Sequence, residues 1–260
     1  MSLVMFQFDY LDVSFAYKQG LSSSPSDQFD KHMHHFFELV YFLHGEVAFH
    51  VEEKVRYMQK GDVAFIKPGQ YHFAEVNDMD DYVRFVCKIP PTILDKSLLE
   101  DLSSYPSFFA DCSKLEHLLL ELDDFASSFD PMRMRALCIG RCIEFLLRLN
   151  QKAQAPSQRK LSPLNEKVVS YIESHLNEDI TYASLSSYFH YSPSYLERLF
   201  QKEMKVGLKE YIRGKKMMEA RKLLEKGMKA NEVALTLGYN DYSTFYRNYI
   251  KVFQSKPGQA

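Results

Sequence analysis

Two hydrophobic periods divide this chain. From residue 3 to about residue 88 the apolar positions come as short runs and alternations. Val47, Phe49 and Val51 alternate with Glu46, Ala48 and His50, the period-2 pattern of a half-buried strand. Residues 39–43 form a short apolar run ended by Gly45, and residues 62–66 another ended by Pro68-Gly69. Short strands with turn signals at this spacing predict an antiparallel barrel or jelly roll. Past Pro90-Pro91 the spacing turns helical. Leu115, Leu118, Leu119 and Leu122, then Leu137, Ile139, Cys142, Ile143, Leu146 and Leu147, predict helices over 115–125 and 132–149 that pack beside the barrel. The stripe Met134, Leu137, Cys138, Arg141, Cys142, Phe145 and Leu149 suits either a two-helix interface with a second copy or burial against the chain's own barrel. Residues 150–165 are polar with two prolines and read as an interdomain linker.

Everything after the linker reads as helical, with one pattern that occurs twice. In residues 180–203 a short helix is expected to turn Leu185, Tyr188 and Phe189 inward. Ser192 then offers an N-cap hydroxyl, with Pro193 at the first helical position, where its missing N–H costs nothing. The next helix buries Leu196, Leu199 and Phe200 and presents Ser194, Glu197, Arg198 and Gln201. Two short helices joined by a tight turn, the second with a polar outer face, form a helix-turn-helix. About 46 residues later a short helix over 231–237 turns Val233, Ala234 and Leu237 inward, with Gly238 suited to a left-handed cap. Asn240-Asp241 opens a second long helix. Phe245, Tyr249 and Phe253 share one of its faces, and Tyr242, Ser243, Tyr246 and Arg247 lie toward another. A helix over 208–226, with Tyr211, Ile212, Ala220, Leu223 and Leu224 as its core stripe, would set the separation of the two units. Two recognition helices could then enter successive major-groove segments about 34 Å apart.

Composition adds limits. The 260 residues exceed one typical domain. With 46% hydrophobic and 25% charged residues the chain has the composition of a soluble globular protein. No run reaches the ~18 apolar residues of a membrane span, and the first residues lack a signal-peptide pattern, so a cytoplasmic protein is expected. Cys87, Cys112, Cys138 and Cys142 lack metal or redox spacing and read as reduced, buried thiols. The net charge of −2 hides an asymmetry: residues 161–260 hold 15 Lys+Arg against 11 Asp+Glu, the rest 17 against 23. A polyanion partner is therefore expected for the second part only.

The C-terminal run resembles the DNA-binding domain of the AraC/XylS (arabinose-regulator) family. The matching residues are Ser192-Pro193-Ser194-Tyr195-Leu196, Arg198-Leu199-Phe200, Gly207, Tyr211, Ala220, Leu223-Leu224, Glu232-Val233-Ala234, Gly238-Tyr239, Asp241, Ser243, Phe245, Arg247 and Pro257. Lys216, Ser186 and Ile250 depart from the family's usual Arg, Ala and Phe. The resemblance implies base or phosphate contact by Arg198 and Arg247, base-edge contacts by Ser194, Glu197, Tyr242 and Ser243, and further DNA contact by Gln201, Lys202 and Lys251. In the first half, His32-Met33-His34, Glu38 and Gly45, then Gly61-Asp62 and Pro68-Gly69-Gln70-Tyr71-His72, resemble the two cupin motifs. Six residues stand between Gly61 and Pro68 where the enzymatic motif has five. His32, His34, Glu38 and His72 occupy the positions that hold metal in enzymatic cupins, a donor set suited to Zn, Fe, Mn or Ni. His32 and His34, two apart, would project to one face of a strand.

Together the resemblances imply an α+β multidomain chain. A cupin-like β-barrel (jelly roll) over 1–90 would bind an effector. Helices over 91–150 would pack on it and support a homodimer, 151–164 would be a linker, and 165–260 an all-α domain of two helix-turn-helix units joined by a long helix. The function implied is sequence-specific transcription regulation on double-stranded DNA. It would be controlled by a small molecule, a sugar or related metabolite, held near His32, His34, Glu38, Tyr41 and His72, with a divalent metal as a further candidate. RNA polymerase would be a partner of an activator. The rival reading is a metal-dependent cupin enzyme with an accessory helical domain.

Overall fold

A strand buried on both faces reads as an unbroken apolar run, whereas one with a wet face alternates, and the first unit of the protein contains both kinds. A computed structural model describes residues 3–10, 13–19, 31–77, 81–126, 128–149, 156, 158–159 and 161–258, in two compact units, Met1–Arg159 and Lys160–Ala260. The first unit runs β1 (Leu3–Tyr10), β2 (Val13–Gln19), β3 (Phe37–His44), β4 (Val47–Val51), β5 (Lys54–Tyr57), β6 (Val63–Ile66), β7 (His72–Val76) and β8 (Val83–Ile89). It continues with α1 (Lys96–Ser104), β9 (Phe108–Phe109), α2 (His117–Ala126), α3 (Pro131–Leu149) and β10 (Gln158–Arg159). The strands form a six-stranded sheet in the order β1-β2-β8-β3-β6-β9 and a four-stranded sheet in the order β10-β5-β4-β7.

β3 lies inside the larger sheet between β8 and β6. Its Leu39, Tyr41 and Leu43 join Phe15, Phe65 and Cys87 against α1, α2 and α3. Its Val40 and Phe42 turn the other way and meet Val47, Phe49 and Val51 of β4 in the space between the two sheets. Each face of β3 has its own core, which explains the run over 39–43. The stripe on α3 goes to the first of these cores: Met134, Cys138, Cys142, Phe145 and Leu149 are all buried there. That stripe is therefore not free for a second copy, because the chain's own barrel covers it. The segment expected to be a linker also carries structure at its end. Gln158 and Arg159 pair with Val55 and Lys54 at the edge of the small sheet, while residues 151–155, 157 and 160 lie outside the described ones.

The second unit is helical: α4 (Pro163–Ser174), α5 (Tyr182–Phe189), α6 (Pro193–Met204), α7 (Leu208–Glu225), α8 (Ala230–Thr236) and α9 (Tyr242–Phe253). The expected caps are in place. The Ser192 hydroxyl accepts from the Tyr195 N–H with Pro193 at the first turn, and Asp241 accepts from the Thr244 N–H at 2.7 Å. Gly238 has φ +70°, and a Cβ there would stand 2.6 Å from the Glu178 carbonyl carbon. Both the dihedral and the space thus require glycine. Leu185, Leu196 and Phe200 are buried in the first helix pair, and Val233, Ala234, Leu237, Phe245 and Tyr249 in the second. Tyr188, expected inside, is 62% exposed. Its ring lies 4.5 Å from that of Tyr171 on α4, so a short helix reaching only one neighbour leaves this position outside. Among the described residues no helix is long and apolar enough to cross a membrane.

Candidate functional site

The cupin-like motif residues converge in the first unit although they come from two separate stretches of chain. Residues 31–36 are not a strand, contrary to the expectation for His32 and His34. A single antiparallel bridge between His32 and His72, made by backbone bonds of 3.2 and 2.9 Å in the two directions, brings the loop against β7. His34 then faces Glu38 on β3, Nε2 to Oε2 2.6 Å. One donor atom from each of His32, His34, Glu38 and His72 lies within 4.8 Å of the other three.

The outward nitrogens are tied down. His34 Nδ1 donates to the Phe36 carbonyl at 3.0 Å and His72 Nδ1 to the Gln70 carbonyl at 3.1 Å. This backbone support is the arrangement that orients metal-ligating histidines and leaves Nε2 for the ion. His72 Nε2 is buried 3.4 Å from Glu38 Oε2 without an aligned hydrogen bond. Burial would raise the Glu38 carboxyl. The His34 hydrogen bond and nearby His72 more than offset that and hold it well below the usual carboxylate range. Burial, partly opposed by Glu38, lowers His34 and favours its neutral form. A buried carboxylate and three imidazoles, one with an orphaned ring nitrogen, are a donor set that fits a borderline divalent ion such as Zn²⁺.

The cluster opens on a cavity of about 310 Å³ whose wall also includes Val40, Phe49, Val86, Lys18, Arg84 and Lys88. Tyr41 is not part of it. One residue along from Val40, Tyr41 points to the opposite face of β3, is fully buried, and donates its hydroxyl to Glu116 at 2.9 Å. Period-2 geometry alone separates it from Glu38, three positions earlier. Phe65 likewise packs on the helix side, whereas Phe36 and Phe73 line the cavity. The three basic wall residues were not singled out from the sequence; the Arg84, Val86, Lys88 alternation on β8 was the signal available.

In the second unit the outer faces of α6 and α9 carry the candidate DNA contacts. Ser194, Arg198, Gln201 and Lys202 are exposed on α6, and Tyr242, Ser243, Arg247 and Lys251 on α9. The Arg198 guanidinium sits 5.8 Å from the Tyr195 ring centre, and Arg247 donates to the Thr244 hydroxyl at 3.1 Å. Glu197 differs. Its Oε2 accepts from the Tyr182 hydroxyl at 2.7 Å and from the Leu208 N–H at 3.1 Å. It caps α7, whose N-cap Gly207 has no side chain to do so, and is thereby taken from the base-contact set. Lys216 is also structural. Buried in α7, it donates to the carbonyls of Glu178 and Leu237, binding α7 to the segment after α4 and the end of α8. Two donor bonds in these directions are within reach of an ammonium, so the departure from Arg is accommodated.

Comparison with known proteins supports both halves. A family model described as a helix-turn-helix domain matches residues 185–260, and one described as an AraC-like ligand binding domain matches 21–137. The chain is 24% identical over 245 residues to the HTH-type transcriptional regulator YfiF of Bacillus subtilis, covering 88% of this chain and 76% of that protein. It is 26% identical over 240 residues to XylDLEGF operon transcriptional activator 1 of Pseudomonas putida, covering 86% and 74%. With the HTH-type regulator YtdP of Bacillus subtilis it shares 25% over 116 residues, only 15% of that longer protein. A chain with both of these domains, and with regulators as its relatives along most of its length, belongs to the AraC/XylS family of DNA-binding transcription regulators.

Proposed function

We propose that this regulator is controlled by a small effector held in the barrel cavity, and that it reads its operator through the outer faces of α6 and α9. One observation carries the proposal. The same chain holds two matched helix pairs with polar outer faces and, in its other unit, a cavity where four donor side chains converge. Effector binding would act by population shift, which requires different affinity for two arrangements of the protein. Arg198 and Arg247 are the guanine or phosphate contacts, with Ser194, Gln201, Lys202, Tyr242, Ser243 and Lys251 around them. A divalent ion on His32, His34, Glu38 and His72 serves as an anchor in the cavity, not as the centre of an enzyme. The regulator works in the cytoplasm as a homodimer, using the exposed face of α3 around Ala136, Gly140 and Leu147, and an activating role would bring it to RNA polymerase.

The test is binding of purified protein to the DNA upstream of its own operon. Preference over scrambled DNA, falling with salt as phosphate contacts are screened, is the expected result; equal affinity for both would end the proposal. Zinc titration tests the anchor: near-stoichiometric uptake by the wild type, weakened at least about tenfold in His72→Ala. Uptake unchanged in that variant removes the metal from the reading.

A further inference from the structure

The wall facing the donor cluster sets like charges across from one another. β2 and β8 are paired so that Lys18 lies directly opposite Arg84. Like charges at such a position repel one another. Lys88, two pleats along β8, faces the same cavity, as does Glu38 beside it on β3 in register with Lys88. Arg84 is only 4% exposed, with its guanidinium carbon 4.0 Å from the Tyr82 ring centre and one N–H donated to the Tyr82 carbonyl at 3.2 Å. Burial and then repulsion by Lys88 and Arg84 lower Lys18, as expected where positive charge is crowded out of water. Among the described residues Glu38 is the one carboxylate of the cavity wall, and it is engaged by His34. A divalent ion on the histidines would add to the positive charge of this wall.

We propose that the effector is a small organic anion, with a carboxylate or phosphate end that sits between Lys18, Arg84 and Lys88 and an uncharged body against Val40, Phe49 and Val86. This rests on the reading that the cavity takes an effector, and it replaces a neutral sugar by a charged ligand. An oxyanion entering the cavity turns a repulsive cross-strand pair into two charge-assisted hydrogen-bonding partners. The cost that the cations impose on the empty barrel becomes differential affinity for the occupied one.

The experiment is a thermal-shift and calorimetric titration of the full chain at low salt, with matched probes: hexanoate and hexanamide, glucose 6-phosphate and glucose, and inorganic sulfate. The inference expects saturable stabilisation by sulfate and by at least one charged member, none by its neutral partner, and binding about tenfold or more weaker in Lys18→Gln and in Lys88→Gln. Arg84→Gln should do the same, but the two lysine variants decide the matter if the buried Arg84 proves necessary for folding. Without ligand, Lys18→Gln is expected to melt higher than the wild type, a gap that salt narrows. The preferred charged member separates a carboxylate from a phosphate effector. Binding of glucose or hexanamide that ignores Lys18 would overturn the anion while leaving an effector cavity. Sulfate stabilisation that is unsaturable and equal in both proteins, as for an excluded salt, with Lys18→Gln melting lower, would overturn it without touching the DNA-binding role.

Discussion

The two units present their chemistry in opposite directions. In the helical unit the side chains proposed to contact DNA point outward from α6 and α9, each within about three helical turns of the cap that starts its helix. In the barrel they point inward, and the cavity wall draws on β2, β3, β4, β7, β8 and the loop before β3. An outward-facing site can be assembled from neighbours in sequence. An inward-facing one needs the sheet closed first, because its members are strangers along the chain. The contrast also shows in charge: the part of the chain with net negative charge has a cavity carrying three cations, so an average over a domain says little about the sign of its interior face.

The largest expected effect that would test this contrast is at Gly238. Gly238→Val puts a branched side chain at φ +70° against the Glu178 backbone and should cost the helical unit about 3 kcal/mol or more. Differential scanning calorimetry of the full chain should show one transition moved and the barrel transition in place; two transitions moving together would show that the units do not melt separately. Next come Arg198→Gln and Arg247→Gln. Both residues are exposed, so melting should stay constant while specific operator binding falls by about 1–3 kcal/mol each, read by fluorescence anisotropy at fixed salt. Operator affinity intact in both variants would remove α6 and α9 as the reading elements.

Glu197→Ala, one residue from Arg198, should give the reverse pattern. Losing the cap of α7 costs about 1–2 kcal/mol of stability, with the rank order of operator variants unchanged. A changed base preference would return Glu197 to the DNA. The smallest effect is expected at Tyr41→Phe, which deletes the bond to Glu116 for about 1 kcal/mol. Ligand and metal titrations should match the wild type. Weaker ligand binding there would place Tyr41 back in the cavity.

The caps and most inward apolar positions of the helix pairs were legible in the sequence because they are local: Ser192 and Asp241 accept from N–H groups three residues on, and the 3.6-residue period names the buried face, Tyr188 excepted. The four donors of the barrel were legible for a different reason, a motif resemblance, not a derivation from spacing. The strand expected to hold His32 and His34 is in fact a loop pinned by one bridge to His72.

One cause links the residues whose partners the sequence did not reveal. Tyr41 and Glu197 were read from their own element alone, the α3 stripe was left with two possible partners, and each is decided by a distant element. Glu116, 75 residues away, accepts from Tyr41. Leu208, eleven residues on, donates to Glu197. Phe15 and Phe65 lie in the core that covers α3. The facing of Lys18 and Arg84 likewise depends on the antiparallel register of two strands 66 positions apart in their pairing. Periodicity tells which residues share a side of an element. What stands across from that side is a matter of register and packing between segments far apart in the chain, and those are settled only when the sheet closes and the helices dock.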